Sequence, residues 1–404
     1  MKKFLTIALC VSALAPAFAQ KAIVDQAAKL SGKTEKLSEA RSLIKQAMEN
    51  PETQNDARTY YVAGKIEYDA FDNAYKTKMI NPNDPTTKGD VMGDELIAGY
   101  KYFMQALPLD SLPNEKGQVK PKFSKDIINK IKGHANDYFT AGADYFNEKL
   151  YYPQAYDAFM LYGHMPEIFG EVPAIDATQQ STAFFNAGLA AYQGDQLEAS
   201  ANAFKQARLA NYDQPEACIY EIACWQTIAQ RDENKIDEAQ AHIMEAAKAG
   251  YDQFGLENPI FVNNMINSLA SEGKTEEALS QLQTLIDQNP DNANLYGLRA
   301  FVYDRAENDA ASEADYRKAA SLPNVDFDTL KNASKKLYRV GTQKLNDLEG
   351  SSSETAALRQ QIKNDYFLQA QKYAQQADAL NPGDPDLQNV LDSIDYSITT
   401  YFSK

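Results

Sequence analysis

Histidine, cysteine and tryptophan are scarce in this 404-residue chain, at three, three and one copies. A zinc or haem centre needs several such ligands gathered together, so that scarcity argues against a dedicated metal or haem site. His134, His164 and His242 stand far apart along the sequence. The chain also lacks a glycine-rich phosphate loop, an HExxH helix and a Gly-x-Ser-x-Gly elbow. Basic residues are in deficit: 40 Lys+Arg face 56 Asp+Glu, a formal charge of −16. Such a field repels polyanions, which excludes nucleic acid as a partner. The one basic patch, Lys116 to Lys132, reads as a solvated linker and helix. No catalytic constellation survives, so the reading is a non-enzymatic protein with no cofactor.

The first nineteen residues carry Lys2 and Lys3, an apolar run from Phe4 to Ala15, Pro16, and then Ala17-Phe18-Ala19. That order is expected of a cleavable signal peptide, with cleavage after Ala19 and a periplasmic location. Cys10 follows Leu9 inside the apolar run, where a lipid-anchor motif would want a small residue. No later stretch approaches 18 unbroken apolar residues, so no integral membrane segment is expected. Cys218 and Cys224 then remain in a helical string; six residues turn about 240°, which points the two thiols to different faces and forbids an intrahelical disulfide. Both read as small buried hydrophobes.

What the chain has in abundance is helical periodicity and self-similarity. Three decapeptides align without gaps: TYYVAGKIEY (Thr59 to Tyr68), DYFTAGADYF (Asp137 to Phe146) and AFFNAGLAAY (Ala183 to Tyr192). Each precedes a second alanine-rich helical segment, such as Leu197 to Tyr212 or Thr275 to Pro290. Glycine inside a helix costs about 1 kcal/mol relative to alanine, so Gly64, Gly142 and Gly188 imply a close crossing. Ala199, Ala203 or Ala278 would be the small contacts opposite, with Tyr60, Tyr138 and Phe184 filling the space around it. Pro290, Pro323 and Pro382 follow the second segments and stop them. A single helical hairpin cannot bury both its faces, so the units must stack.

On these residues the chain resembles the tetratricopeptide repeat family. Leu282 and Tyr316 lie 34 residues apart, the family's period, and Asn289-Pro290 and Asn381-Pro382 match its usual unit ending. The resemblance implies an all-α fold, a right-handed α-solenoid of stacked hairpins over residues 20–384 in seven or eight units. Residues 385–404 would form a C-terminal capping helix, with Leu387, Val390, Leu391, Ile394 and Ile398 on one stripe. Segments 73–93, 108–125, 166–180 and 350–354 break the period as insertions or linkers.

In that family one face of each first helix lines a concave groove. Here the face would hold Tyr61, Lys65 and Tyr68, then Phe139 and Phe146, then Phe185, Leu189 and Tyr192, a recurring aromatic stripe. The alternative is that these rings pack between units. Further along, Asn263 and Asn267 are four residues apart, so their amides project together and can grip an extended peptide backbone. The next unit offers Gly297 and Phe301 there, without the basic pair of a carboxylate clamp. The expected function is a periplasmic scaffold binding a protein or peptide in its groove, for envelope assembly, secretion or maintenance, with homo-oligomerisation left open. The alternative is a carbohydrate-binding module related to helical-repeat glycan receptors, which normally carry a lipid anchor and tryptophan-bearing insertions.

Overall fold

A computed structural model of the chain describes residues 21–81, 93–114, 116–147, 151–348 and 353–402. The expected signal peptide, residues 1–19, lies outside them. The described residues form an all-α helical-repeat fold, and their only β feature is an isolated bridge between Pro113 and Val119. They divide into two compact units, one up to His242 and the other from Ile243 onward.

The first unit contains α1 (residues 21–30), α2 (Leu37–Glu49), α3 (Ala57–Ile80), α4 (Asp94–Asp110), α5 (Ser124–Gly133) and α6 (Ala135–Asn147). It continues through α7 (Tyr152–Phe169), α8 (Ala177–Gln193), α9 (Leu197–Leu209) and α10 (Glu216–Arg231). The unit boundary falls inside α11 (Ile236–Phe254). The second unit holds α12 (Pro259–Ser271), α13 (Thr275–Gln288), α14 (Ala293–Arg305), α15 (Asp309–Ser321) and α16 (Phe327–Asn346). After it come α17 (Ser353–Ile362), a π turn (Lys363–Phe367), α18 (Leu368–Leu380) and α19 (Pro385–Tyr401). Helices pair as hairpins: α3 with α4, α6 with α7, α8 with α9, α12 with α13, α14 with α15, and α16 with α18.

The repeated glycine has the role its position implies, but its partner is different from the one expected. Gly64, Gly142 and Gly188 each lie under a phenylalanine of the following helix: Phe103, Phe159 and Phe204. A Cβ at Gly142 would stand 2.8 Å from the Phe159 ring, and one at Gly188 would stand 2.6 Å from Phe204. The glycine is therefore a seat for a ring, rather than a meeting point with a small alanine. Tyr138 and Phe184 are buried beside these crossings, and Tyr60 is half-buried.

Hairpin turns repeat as well. Asp195, Gly273 and Glu307 all adopt left-handed backbone angles, with φ of 56°, 75° and 58°. Each is followed by the same long-reach bond: Gln196 N–H to Ala191 O at 2.8 Å, Lys274 N–H to Leu269 O at 2.9 Å, Asn308 N–H to Tyr303 O at 2.9 Å. This is the Schellman closure, which satisfies the last carbonyls of the first helix while reversing the chain.

Second helices bury one stripe. Ala278, Leu282 and Ile286 of α13, spaced four apart, are all buried while Glu276, Glu277 and Gln283 keep to the other side. On α19, Leu387 and Ile394 are fully buried against the α16–α18 layer, with Val390, Leu391 and Ile398 half-buried. The breaks expected at 108 and 166 come later than the prolines suggest. Pro108 and Pro166 sit inside the last turns of α4 and α7, which run on to Asp110 and Phe169. Asp110 then organises the start of α5, accepting hydrogen bonds from the N–H groups of Lys122, Phe123 and Ser124 at 2.8–2.9 Å. Cys218 and Cys224 are free and buried, and burial pushes both thiols up to about 11.

Candidate functional site

In the first unit most of the expected stripe packs against neighbouring side chains. Tyr68 is a clear correction: it is fully buried, its ring 4.9 Å from Phe103 and its hydroxyl 2.5 Å from that of Tyr138. The position predicted to face a groove instead faces the core, because the Tyr68 ring is itself seated on Gly99 of α4, where a Cβ would stand 2.6 Å from it. Tyr61 is half-buried, stacked on Phe123 at 4.5 Å, and its hydroxyl donates to Asp126 at 2.9 Å. Burial, then the Asp126 contact, push the Tyr61 phenol up to about 12. Lys65 pairs with Asp69 one turn on, at 2.5 Å.

Phe139 meets Phe159 and Tyr162 edge-on, each at 5.3 Å, and Phe146 meets Tyr152 at 5.6 Å. Phe185 lies flat on Tyr212 at 4.4 Å and 8°. Leu189 is half-buried, and only Tyr192 is largely open, at 48% exposure. Phe139 does line a surface cleft of about 280 Å³ with Thr140, Tyr162 and Thr178.

The second unit is built differently on the corresponding helices. Asn263 and Asn267 of α12 line a cleft of about 240 Å³ together with Asn294, Gly297, Leu298 and Phe301 of α14 and Asp326, Asp328, Thr329 and Asn332 at the start of α16. Three successive first helices thus meet around one depression, as the pairs α12–α14 and α14–α16 pack side by side. Local sequence sets their starts. Asn258 caps α12 through Ile260 N–H at 3.1 Å, Asn292 caps α14 through Asn294 N–H at 3.1 Å, and Asp326 caps α16 through Thr329 N–H at 2.6 Å. The floor is close because Gly297 has no side chain: a Cβ there would stand 2.7 Å from Thr329 Cγ2.

Two features of the cleft bear on chemistry. The side-chain oxygens of Asn263 and Asn294 are out of solvent and have no hydrogen-bond partner among the described residues. Buried polar atoms are nearly always satisfied, so two such acceptors side by side are unusual, and both lie beneath the accessible surface of the cleft. The ionisable lining groups are Asp326 and Asp328, both acidic. Lys331 approaches Asp328 only at 3.7 Å and is shared with Asp384 at 3.8 Å, while its ammonium lies 4.6 Å over the Phe327 ring. The Arg305 guanidinium lies 5.9 Å from the Phe301 ring.

Sequence reasoning reached Asn263, Asn267, Gly297 and Phe301 and missed Asn294, Leu298, Asp326, Asp328, Thr329 and Asn332. The signal for two of the lining positions was the period itself. Asn294 and Asp328 are 34 residues apart, as are Leu298 and Asn332, so one more step along the repeat reaches the α16 wall.

No family model matches the chain, and no curated protein matches it. Solved structures do. The chain is similar to the crystal structure of the yeast Tom70 at a TM-score of 0.33 and 12% identity, over 94% of this chain and 89% of that one. It is similar to the P58(IPK) TPR domain at 0.30 and 12%, over 96% and 100% of the two chains. Against the Cut9-Hcn1 hetero-tetramer the values are 0.32 and 12%, over 88% and 59%. The glycine crossings and Schellman turns define the helical repeat independently of these likenesses.

Proposed function

We propose that this protein is a non-enzymatic interaction scaffold, exported to the periplasm, that holds an extended segment of a partner protein across α12, α14 and α16. The observation that carries the reading is the amide-lined cleft, with Asn263, Asn267, Asn294 and Asn332 on three adjacent helices. An amide offers both a donor and an acceptor, the complement of a peptide bond, and a row of them can pair with a backbone whatever its side chains. Phe301 and Leu298 add an apolar wall for one side chain. Export draws its support from the amino-terminal order of two lysines, an apolar run and Ala-Phe-Ala.

The test is photo-crosslinking from within the cleft. p-Benzoylphenylalanine at Asn267 of the full chain in cells should yield a protein adduct, lost when Asn263→Ala is added. The same probe at exposed Thr284 on α13 should yield none. Equal adducts from both positions, or none from Asn267, would remove the scaffold reading. Amino-terminal sequencing of the soluble envelope fraction should find a chain beginning at Gln20.

A further inference from the structure

We infer that the hairpin between α4 and α5 is a peripheral contact with an anionic lipid surface, an inference independent of the cleft in the second unit. This insertion interrupts the repeat, and its sequence alone suggests a solvated linker. The structure builds it more firmly than that. Asp110, at the end of α4, accepts the N–H groups of Lys122, Phe123 and Ser124 and the Ser124 hydroxyl, which ties the two ends of the insertion together. Between those ends Pro113 and Val119 form an antiparallel bridge. The Asn114 side-chain oxygen accepts from the N–H groups of Lys116 and Gln118 at 2.9 and 3.1 Å, and Gly117 takes a φ of 72° at the turn. A loop fixed in this way presents its side chains with little conformational freedom left to lose on binding.

What it presents is unlike the rest of the chain. Every described residue from Ser111 to Lys122 is exposed, including Leu112 at 61% and Val119 at 55%. Residues 111–132 hold six lysines against Glu115 and Asp126, in a chain of net charge −16. Asp126 is engaged by the Tyr61 hydroxyl. Among the described residues, Lys116, Lys120, Lys122 and Lys125 meet no carboxylate, whereas Lys101 and Lys235 are paired with Asp157 and Glu198.

The chemistry of the patch selects its partner. No arginine occurs between Arg58 and Arg208, so the fork that grips a single carboxylate or phosphate in two places is missing. Lysines are point charges on flexible stems, and a cluster of them adds up its attraction to a layer of negative headgroups without needing exact geometry. Lysine is also depleted where proteins meet proteins. Leu112 and Val119 lie on an exposed segment rather than in a groove, so whatever takes them out of water has to close around them. The boundary between lipid headgroups and acyl chains does so. The chain as a whole repels an anionic bilayer, but salt screens that repulsion beyond about 10 Å, so the sign of the nearest segment decides.

The test is co-sedimentation of residues 20–404, which hold every described helix, with lipid vesicles. Omitting the first nineteen residues keeps their apolar run from binding lipid itself. Phosphatidylcholine vesicles carrying about one third phosphatidylglycerol should pellet the protein at low salt and release it at high salt. Pure phosphatidylcholine should not pellet it. Changing Lys116, Lys120, Lys122 and Lys125 together to Gln should weaken binding at least tenfold with the melting temperature unchanged, because the Lys122 N–H that reaches Asp110 is kept. Leu112→Ser with Val119→Ser should weaken it about threefold or more, a loss that charge alone would not produce. Equal binding to both kinds of vesicle, or full affinity in either variant, would overturn the inference. So would self-association in place of lipid binding, lost in the lysine variant, because the hairpin would then meet the acidic surface of a second copy.

Discussion

The first helices of the two units share a period and differ in what they do with their exposed face. In the first unit that face is filled by rings: Tyr61 under Phe123, Phe139 against Phe159 and Tyr162, Phe185 flat on Tyr212. In the second, amides and a glycine occupy it, and Asn263, Asn294 and Gly297 leave a depression with unsatisfied acceptors. The contrast teaches that register alone does not make a groove. A large apolar side chain at such a position packs on another ring, so the cleft beside Phe139 and Tyr162 has an aromatic wall, while short polar side chains line the cleft of the second unit with amides.

The sharpest way to break the comparison is at the crossings. Gly188→Leu should cost about 3 kcal/mol, because the Phe204 ring occupies the space a side chain needs. Chemical denaturation would read it, and an unchanged midpoint would mean that the ring seat contributes nothing. Next in size, Phe185→Ala should cost about 2 kcal/mol, less than a fully buried ring because Phe185 is only half-buried. Its neighbour on the same face, Tyr192→Ala, should stay within about 0.5 kcal/mol. Equal costs for the two would erase the distinction between packed and open aromatic positions.

Smaller effects sharpen the picture. Glu307→Gly should stabilise by about 1 kcal/mol, since Glu307 holds a left-handed angle that glycine adopts without steric penalty. Thermal melts would detect it, and destabilisation would show that the Glu307 side chain matters more than its backbone. The smallest expected signal is from the thiols. With Cys218 and Cys224 pushed to about 11, iodoacetamide at pH 8 should label neither in the folded chain, because the reactive thiolate is then about a thousandfold in the minority. Labelling should appear on unfolding, and labelling in the native protein would contradict their burial.

The hairpin and its stopping prolines were legible in the sequence because they follow from local rules: a costly glycine recurring in helical context, and alanine stripes at a spacing of four. The partner of that glycine was not legible. Which side chain from the next helix covers it depends on the crossing, and alanines at helical spacing looked as suitable as Phe103 or Phe204. Tyr68 was misplaced for the same reason, since it too sits over a glycine of the next helix, Gly99. The cleft was half legible. Asn263 and Asn267 declare themselves by their spacing, but Asp326 and Thr329 come from a third helix, brought near by the missing side chain of Gly297.

The phenylalanine seated on a bare glycine also has a mechanical meaning. A ring lodged in a notch one residue wide acts as a detent. If α9 slid along α8 by a turn, Phe204 would ride up from Gly188 onto a Cβ-bearing neighbour such as Phe184 or Ala191. Each such hairpin resists shear along its length until the ring is levered out of the notch. The axial alignment of each such helix pair is therefore held fixed by a single ring.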